Sequence, residues 1–112
     1  MKKTIYNIKN ERGNNVTNQF LIMEGTNYTF ISYQTPIAIL KVASGTIFIN
    51  KSVFDYSRTT TRHFLNYLEN MLTFEKPTRA TVEGWIKQGY IPASENCYHT
   101  DIDIRLISAG EF

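Results

Sequence analysis

The stretch DYSRTTTRH, residues 55–63, concentrates side chains that can do chemistry. Nine consecutive positions hold one carboxylate, one phenol, four hydroxyls, two guanidinium groups and one imidazole. The stretch joins a β-like run to a strong helical pattern. The hydroxyls of Ser57, Thr59 and Thr60 can each accept a hydrogen bond from a free N–H group at a helix start. One interpretation is therefore a capped junction between a strand and a helix.

A second interpretation is a recognition surface. Tyr56, Arg58 and Arg62 would project around the N-terminus of the helix, which favours an anion or a carboxylate. Aromatic and arginine side chains are frequent hot spots of protein interfaces. We therefore predict a partner-binding surface with Tyr33, Tyr56, Arg58 and Arg62 as its anchors. The two interpretations can hold together, because helix starts are often used in this way.

A second polar cluster lies near the C-terminal end of the sequence, with Cys97, His99, Asp101 and Asp103 at alternating positions. A β-strand would send these four side chains to one face, where they could hold a metal. Zinc sites, however, usually present their ligands as two closely spaced pairs. A single alternating run is more typical of a solvated strand face. We expect no metal and no cofactor.

Catalytic motifs are not found in the sequence. Cys97 forms only a formal pair with His63 or His99, and no flanking signature of a cysteine nucleophile accompanies it. The glycine-rich dinucleotide and phosphate loops and the Gly-x-Ser-x-Gly elbow are also missing. We expect that the protein is not an enzyme.

The composition predicts one soluble domain over residues 1–112, with 42% hydrophobic and 20% charged residues. No apolar run approaches the roughly 20 residues that a membrane span needs. The first residues lack the apolar stretch of a signal peptide. Cys97 is the single cysteine, so no internal disulfide can form and a reducing compartment is expected. These features indicate a cytoplasmic protein without a membrane partner.

Positive charge is divided along the sequence. Residues 1–13 carry four basic and one acidic side chain, and residues 51–93 carry six basic and four acidic ones. A nucleic-acid binder usually concentrates its positive charge on one element. Because the excess is small and split, we expect nucleic-acid binding to be weak.

The first half of the sequence reads as short strands separated by glycine and asparagine turns, which favours an antiparallel meander. The predicted strands cover residues 4–8, 19–23, 28–33, 37–42 and 46–49. The second half reads as two helices, at 60–72 and 79–88, followed by an alternating strand near Ile102 and Leu106. Phe64, Leu65 and Leu68 form an apolar stripe on the first helix, and Trp85 marks the apolar face of the second. The predicted fold class is α+β, an antiparallel sheet of about five strands packed against two helices.

Several of these segments resemble a known family. The segment FDYSRTTTRHFLNYL, preceded by NQFLIMEG, YTFISYQTPIAIL and GTIFIN, is similar to a family of small proteins of unknown function. Its members are encoded by bacteriophages and other mobile elements of Gram-positive bacteria. The family's aromatic-Asp-Tyr-Ser segment, its Thr-Thr pair and its following helix match Phe54, Asp55, Tyr56, Ser57, Thr59, Thr60, Phe64 and Leu65. The resemblance covers about residues 4–90 and implies a phage accessory protein in the cytoplasm of a bacterial host cell.

Residues 14–50 carry only two charged side chains, Glu24 and Lys41, and several of their predicted strands are apolar on both faces. Two helices can cover one face of a sheet, so the other face must meet water or a partner. Tyrosine, which is abundant here, is enriched at protein interfaces. These features favour a protein-binding surface or a homodimer. Together with the resemblance, they predict a non-enzymatic protein that binds a host protein and inhibits a bacterial defence system such as CRISPR-Cas.

An alternative function rests on the segment PTRATVEGWIKQGYIPA, residues 77–93. It resembles the recognition segment of excisionase-like winged-helix proteins, in which such a helix enters the major groove. The alternative is therefore a small nucleic-acid-binding regulator that uses the helix at 79–88. Only Arg79 and Lys87 are basic within this helix, which provides few contacts to phosphate.

Overall fold

A computed structural model describes residues 2–10, 12–73 and 75–112 of the chain. Its secondary structure follows the predicted order, with strands first and two helices after them. The seven strands are β1 (Lys3–Lys9), β2 (Asn15–Glu24), β3 (Asn27–Ser32), β4 (Thr35–Lys41), β5 (Thr46–Asn50), β6 (Tyr90–Ile91) and β7 (Ile102–Ile107). The two helices are α1 (Arg58–Met71) and α2 (Arg79–Gln88). The predicted α+β class, with both helices in the C-terminal half, is confirmed.

The sheet is larger than predicted and is not wholly antiparallel. Its strand order is β1-β2-β3-β4-β5-β7-β6, and the first five strands form the antiparallel meander that the turns indicate. β7 instead pairs with β5 in parallel. The long connection through both helices allows this direction, because a parallel pair needs a crossover. The prediction of about five strands was therefore too low. β6 has only two residues, too few for any sequence pattern to show it.

Each helix begins at a hydroxyl cap. The side chain of Ser57 accepts a hydrogen bond from the backbone N–H of Thr60, with 3.2 Å between nitrogen and oxygen. At the start of α2, the side chain of Thr78 accepts a 3.1 Å hydrogen bond from the backbone N–H of Thr81. The second helix ends at Gly89, whose φ of 92° lies in the left-handed region that glycine enters at little cost. These caps satisfy N–H groups that the first turn of a helix leaves free.

The core lies between one face of the sheet, here called the inner face, and the two helices. Phe64, Leu68 and Trp85 are buried, as predicted, whereas Leu65 is half-buried and packs at the margin of the core. Tyr67 of α1 reaches into the sheet, where its hydroxyl donates a 2.6 Å hydrogen bond to the backbone oxygen of Tyr28. The main inner-face residues are Phe30, Leu40, Ile47, Ile49, Ile102 and Ile104. This arrangement fixes α1 against the middle of the sheet.

Neither helix has the length and the apolar character that would be needed to cross a membrane, within the part of the chain that the structure describes.

Candidate functional site

The junction at residues 55–63 is held by a chain of hydroxyl groups. The oxygen of Ser57 caps α1 and lies 3.2 Å from the side-chain oxygen of Thr60. The Thr60 hydroxyl in turn lies 2.8 Å from the hydroxyl of Ser32, at the end of β3. Because Thr60 and Ser32 are both buried, this bond ties the first turn of the helix to the sheet. The capped-junction interpretation is confirmed, with Ser57 as the cap.

Three of the four predicted anchors lie around one depression. Tyr56, Arg58 and Arg62 line a hollow of about 290 Å³, here called the junction hollow. Phe54 and Leu65 supply its apolar part. The Tyr56 hydroxyl accepts a 3.2 Å hydrogen bond from the side-chain amide of Asn50, which orients the ring at the end of β5. Aromatic, aliphatic and guanidinium groups therefore meet at one place on the surface.

The fourth predicted anchor does not join the junction hollow. Tyr33 lies in the tight turn between β3 and β4, where its φ is 51°. Its backbone N–H donates to the oxygen of Asn18 at 2.8 Å, and its side chain is 53% exposed. Tyr33 is therefore accessible, but it does not line the hollow that Tyr56, Arg58 and Arg62 form.

A second depression adjoins the junction hollow and is larger, at about 600 Å³. It lies between the hairpin of β1 and β2 and the side of α1, and we call it the hairpin groove. Arg62 and Lys76 line both depressions, so the two are continuous. The hairpin contributes Lys9 and Arg12. Side-chain amides of asparagine complete its polar lining: Asn10, Asn14 and Asn66.

Together the two depressions form a basic surface. Six of the 12 lysine and arginine residues of the chain line it: Lys9, Arg12, Arg58, Arg62, Lys76 and Arg79. No acidic side chain is found among the described residues that line either depression. Arg79 is partly neutralised, because it forms an exposed ion pair with Glu83, and its guanidinium also lies 4.7 Å from the ring centre of Phe54. A surface of this charge suits a partner that carries carboxylates or phosphates.

Three of the six cations of this surface, Lys9, Arg12 and Lys76, were not predicted as site residues from the sequence. Lys9 is the last residue of β1, Arg12 lies in the turn between β1 and β2, and Lys76 belongs to the connection between the helices. Along the chain Lys9 and Arg12 are more than 40 residues from the other four cations of the surface, so the charge seemed split. The fold brings them together by placing the β1–β2 hairpin beside α1. No spacing pattern in the sequence could have shown this.

His63 lies beneath the hairpin groove. Its side chain is only 4% exposed, and neither ring nitrogen has a hydrogen-bond partner among the described residues. Burial lowers the pKa of His63 below its usual value of 6.5, and the positive charges of Arg62 and Lys76 lower it further. The imidazole is therefore neutral at physiological pH and adds no charge to the basic surface.

The cluster of Cys97, His99, Asp101 and Asp103 does not form one strand face. β7 begins only at Ile102, so the first three residues lie in an exposed turn, in which His99 has a φ of 59°. The carboxylate of Asp101 accepts a 3.0 Å hydrogen bond from the backbone N–H of Ala93. No group of three or more potential ligands capable of holding a metal occurs in the described ranges. The prediction that these four side chains share one strand face was wrong, because three of the residues lie in a turn and not in a strand.

The second helix has little free charge to offer a DNA groove. Trp85 and Val82 are buried against the core and cannot contact a base. Arg79, one of its two basic residues, is engaged with Glu83 on the neighbouring turn. Cations outside α2 make up most of the basic surface, so any contact with nucleic acid would centre on α1 and the hairpin.

Comparison with curated proteins and with solved structures finds no match. One family model matches residues 3–84, and it is described as a family of unknown function (DUF8033). The matched region runs from β1 through α1 into α2, and so it includes every residue of the junction hollow and the hairpin groove. Because the match covers well over half of the chain, the protein belongs to this family of unknown function, DUF8033.

Proposed function

We propose that this protein is a non-enzymatic phage accessory protein that binds a host protein through the basic surface and thereby inhibits a bacterial defence system such as CRISPR-Cas. The observation that supports it most directly is the convergence of Tyr56, Arg58 and Arg62 on the junction hollow. The phage context rests on the resemblance of the DYSRTTTRH region. The partner surface that fits is acidic and carries at least one apolar side chain.

The composition of the junction hollow favours a protein partner over a polyanion alone. Arginine can bind a carboxylate through two parallel hydrogen bonds, which gives both affinity and orientation. Phe54 and Leu65 offer an apolar floor to a side chain of the partner. Interface hot spots combine such anchors with a desolvated centre. Phosphate chains use the cations but gain little from the apolar floor.

A protein that acts by binding alone must act stoichiometrically. Its effect in the cell should therefore rise with its amount until the target is saturated, with no turnover. Positive charge on the surface should also speed association with an acidic partner, and added salt should slow it.

The experiment is to express the protein in its bacterial host and to measure the yield of a phage that the host restricts. We expect the wild-type protein to raise the yield. The double variant Tyr56→Ala/Arg62→Ala should lose this effect while its circular dichroism spectrum stays unchanged, because truncation of one hot-spot residue can cost about 2 kcal/mol or more of binding. Pull-down from the host lysate should retain a defence protein on the wild type and not on the double variant.

A matched control is available elsewhere on the surface. Tyr90 and Lys87 are an exposed tyrosine and an exposed cation that line neither depression. The double variant Tyr90→Ala/Lys87→Ala should protect the phage as well as the wild type does. Equal loss in both double variants would contradict this choice of surface. Failure of the wild type to relieve any defence system would contradict the inhibitor function itself.

A second candidate function is a small nucleic-acid-binding regulator. The specific observation in its favour is the gathering of six cations on one continuous surface, which the sequence did not indicate. The exposed ring of Tyr56 beside these cations could stack on an unpaired base. This candidate, unlike the first, requires sequence-selective binding of nucleic acid at physiological salt.

A further inference from the structure

The face of the sheet opposite the helices, here called the outer face, carries a largely apolar row of side chains. Strand register places one row of residues directly beside one another across six strands, and side chains of directly paired residues point to the same face. This row consists of Ile5, Ile22, Thr29, Ile39, Phe48 and Arg105. A shorter neighbouring row on the same face contains Phe20 and Ile31. The solvated face of an antiparallel sheet is instead usually polar.

None of these apolar side chains packs against the core, which lies on the inner face. Ile5 is 60% exposed, and Ile22, Ile39 and Phe48 are half-buried by their own neighbours in the sheet. Among the described residues, both helices lie on the other side of the sheet. The C-terminal turn Ala109–Glu111 also contacts β4. Contiguous apolar patches of this kind mark interaction sites on soluble proteins.

A charged row borders the apolar row on the same face. Direct pairing links Lys3 of β1 to Glu24 of β2, and Thr46 of β5 to Asp103 of β7. Between them lie Asn27 and Lys41, whose amine stands 4.9 Å above the ring of Phe48. The row therefore ends in a cation on β1, Lys3, which lies beside Glu24, and in a carboxylate on β7, Asp103. When a second copy of the row is placed opposite in reversed order, the cation at one end of each row faces the carboxylate at the other end of its partner.

We infer that the outer face binds the outer face of a second copy of this chain, forming a two-fold symmetric dimer of stacked sheets. The two-fold axis would run parallel to the strands, between β3 and β4. It would place β1 opposite the partner's β7, and each row of residues would face the same row of the partner. Lys3 then faces the partner's Asp103, and the partner's Lys3 faces Asp103. The apolar residues of the two rows pack against each other, as the inner faces of a β-sandwich do, and Arg105 at the edge lies opposite the partner's Ile5.

The size of the outer face is sufficient for a modest dimer. Six strands about 4.8 Å apart, each with about six residues rising about 3.3 Å, give a flat area of roughly 500 Å². Two copies therefore bury at least about 1,000 Å², near the lower limit for a specific interface. We accordingly expect dissociation in the micromolar range. Because α1 packs on the inner face, the dimer leaves both basic surfaces open, and it does not depend on the proposed function.

The test is sedimentation equilibrium of the full chain from about 1 to about 300 µM, a range chosen to span a micromolar dissociation constant. The wild type should pass from monomer to dimer across this range. Ile39→Glu should remain monomeric throughout, because it places an unpaired carboxylate at the centre of the interface. Leu106→Glu is the matched control: Leu106 is 48% exposed and lies outside the outer-face rows, so this variant should dimerise like the wild type.

A charge-reversal cycle tests the orientation. Lys3→Asp and Asp103→Lys should each weaken the dimer by about threefold to tenfold, because each contact occurs twice. The double variant Lys3→Asp/Asp103→Lys should restore an affinity close to that of the wild type. Both positions are exposed, so the cycle stays informative even if Ile39→Glu fails to fold. A wild type that stays monomeric at about 300 µM would overturn the proposal. So would a dimer that is insensitive to Ile39→Glu and to the charge cycle.

Discussion

The hydroxyl of Ser32, at the end of β3, lies 2.8 Å from the hydroxyl of Thr60 in the first turn of α1, and both residues are buried. This bond fixes the start of the helix relative to the sheet. The Ser57 cap lies within the same network. Arg58 and Arg62 project from the turns that this network holds, so their separation from Tyr56 is set by the junction. The capping network and the predicted anchors Tyr56, Arg58 and Arg62 therefore share residues 55–63.

The first prediction concerns the cap. Ser57→Ala should lower the free energy of unfolding by about 0.5–2 kcal/mol, because an N–H group of the first turn loses its acceptor. Urea denaturation followed by circular dichroism measures this. Thr59→Ala is the control, since Thr59 makes no cap bond in the structure, and it should change stability by less than about 0.5 kcal/mol. Equal effects of the two substitutions would contradict the assignment of Ser57 as the cap.

The second prediction concerns the contact between α1 and the sheet. Leu68 is completely buried, so Leu68→Ala should cost about 2–5 kcal/mol through lost burial and a residual cavity. Leu65→Ala on the same helix should cost clearly less, because Leu65 is half-buried at the margin. The same denaturation experiment compares them. A larger loss for Leu65→Ala would contradict the observed orientation of α1.

The third prediction concerns His63 and pH. Its pKa in the folded protein lies below the unfolded value of 6.5, so the folded state binds a proton less tightly than the unfolded chain does. The stability that the neutral form contributes is therefore present above pH 6.5 and is lost as pH falls through the folded pKa. His63→Gln should remove this part of the pH dependence.

The control for His63 is His99→Gln, because His99 is exposed in a turn. We expect the stability of the His99→Gln variant to fall as the pH is lowered, as the stability of the wild type does. Denaturation midpoints at a series of pH values from about 5 to about 8 provide the comparison, since histidine titrates in this range. Identical pH profiles for wild type and His63→Gln would show that burial of this imidazole has no energetic consequence.

The fourth prediction separates the two candidate functions. Fluorescence anisotropy with single-stranded and duplex DNA should show binding only at low salt, with a steep loss on adding salt and no preference for sequence. Lys9→Ala/Arg12→Ala should weaken this binding and reduce its salt slope by about two, one for each phosphate contact removed. Sequence-selective binding at physiological salt would favour the regulator over the host-protein inhibitor.

Local sequence patterns predicted the secondary structure and its turns. Turn residues at Gly13, Gly25 and Gly45 separate the strands of the meander, and all three adopt the positive φ that such turns require. The hydroxyl caps and the apolar stripe of α1 were also predictable, because they depend on residues a few positions apart. Tyr56, Arg58 and Arg62 could be proposed together as anchors for the same reason. They lie within two turns of one helix start.

Other features depend on contacts between residues that are far apart in the chain. The parallel pairing of β7 with β5 depends on a crossover through about 50 residues, which no short pattern encodes. Lys9 and Arg12 join Arg62 and Lys76 only because the first hairpin folds beside α1. The apolar rows of the outer face likewise require the register of six strands. Local patterns fix which elements form, whereas the surfaces of this protein come from pairings between residues that are distant in the chain.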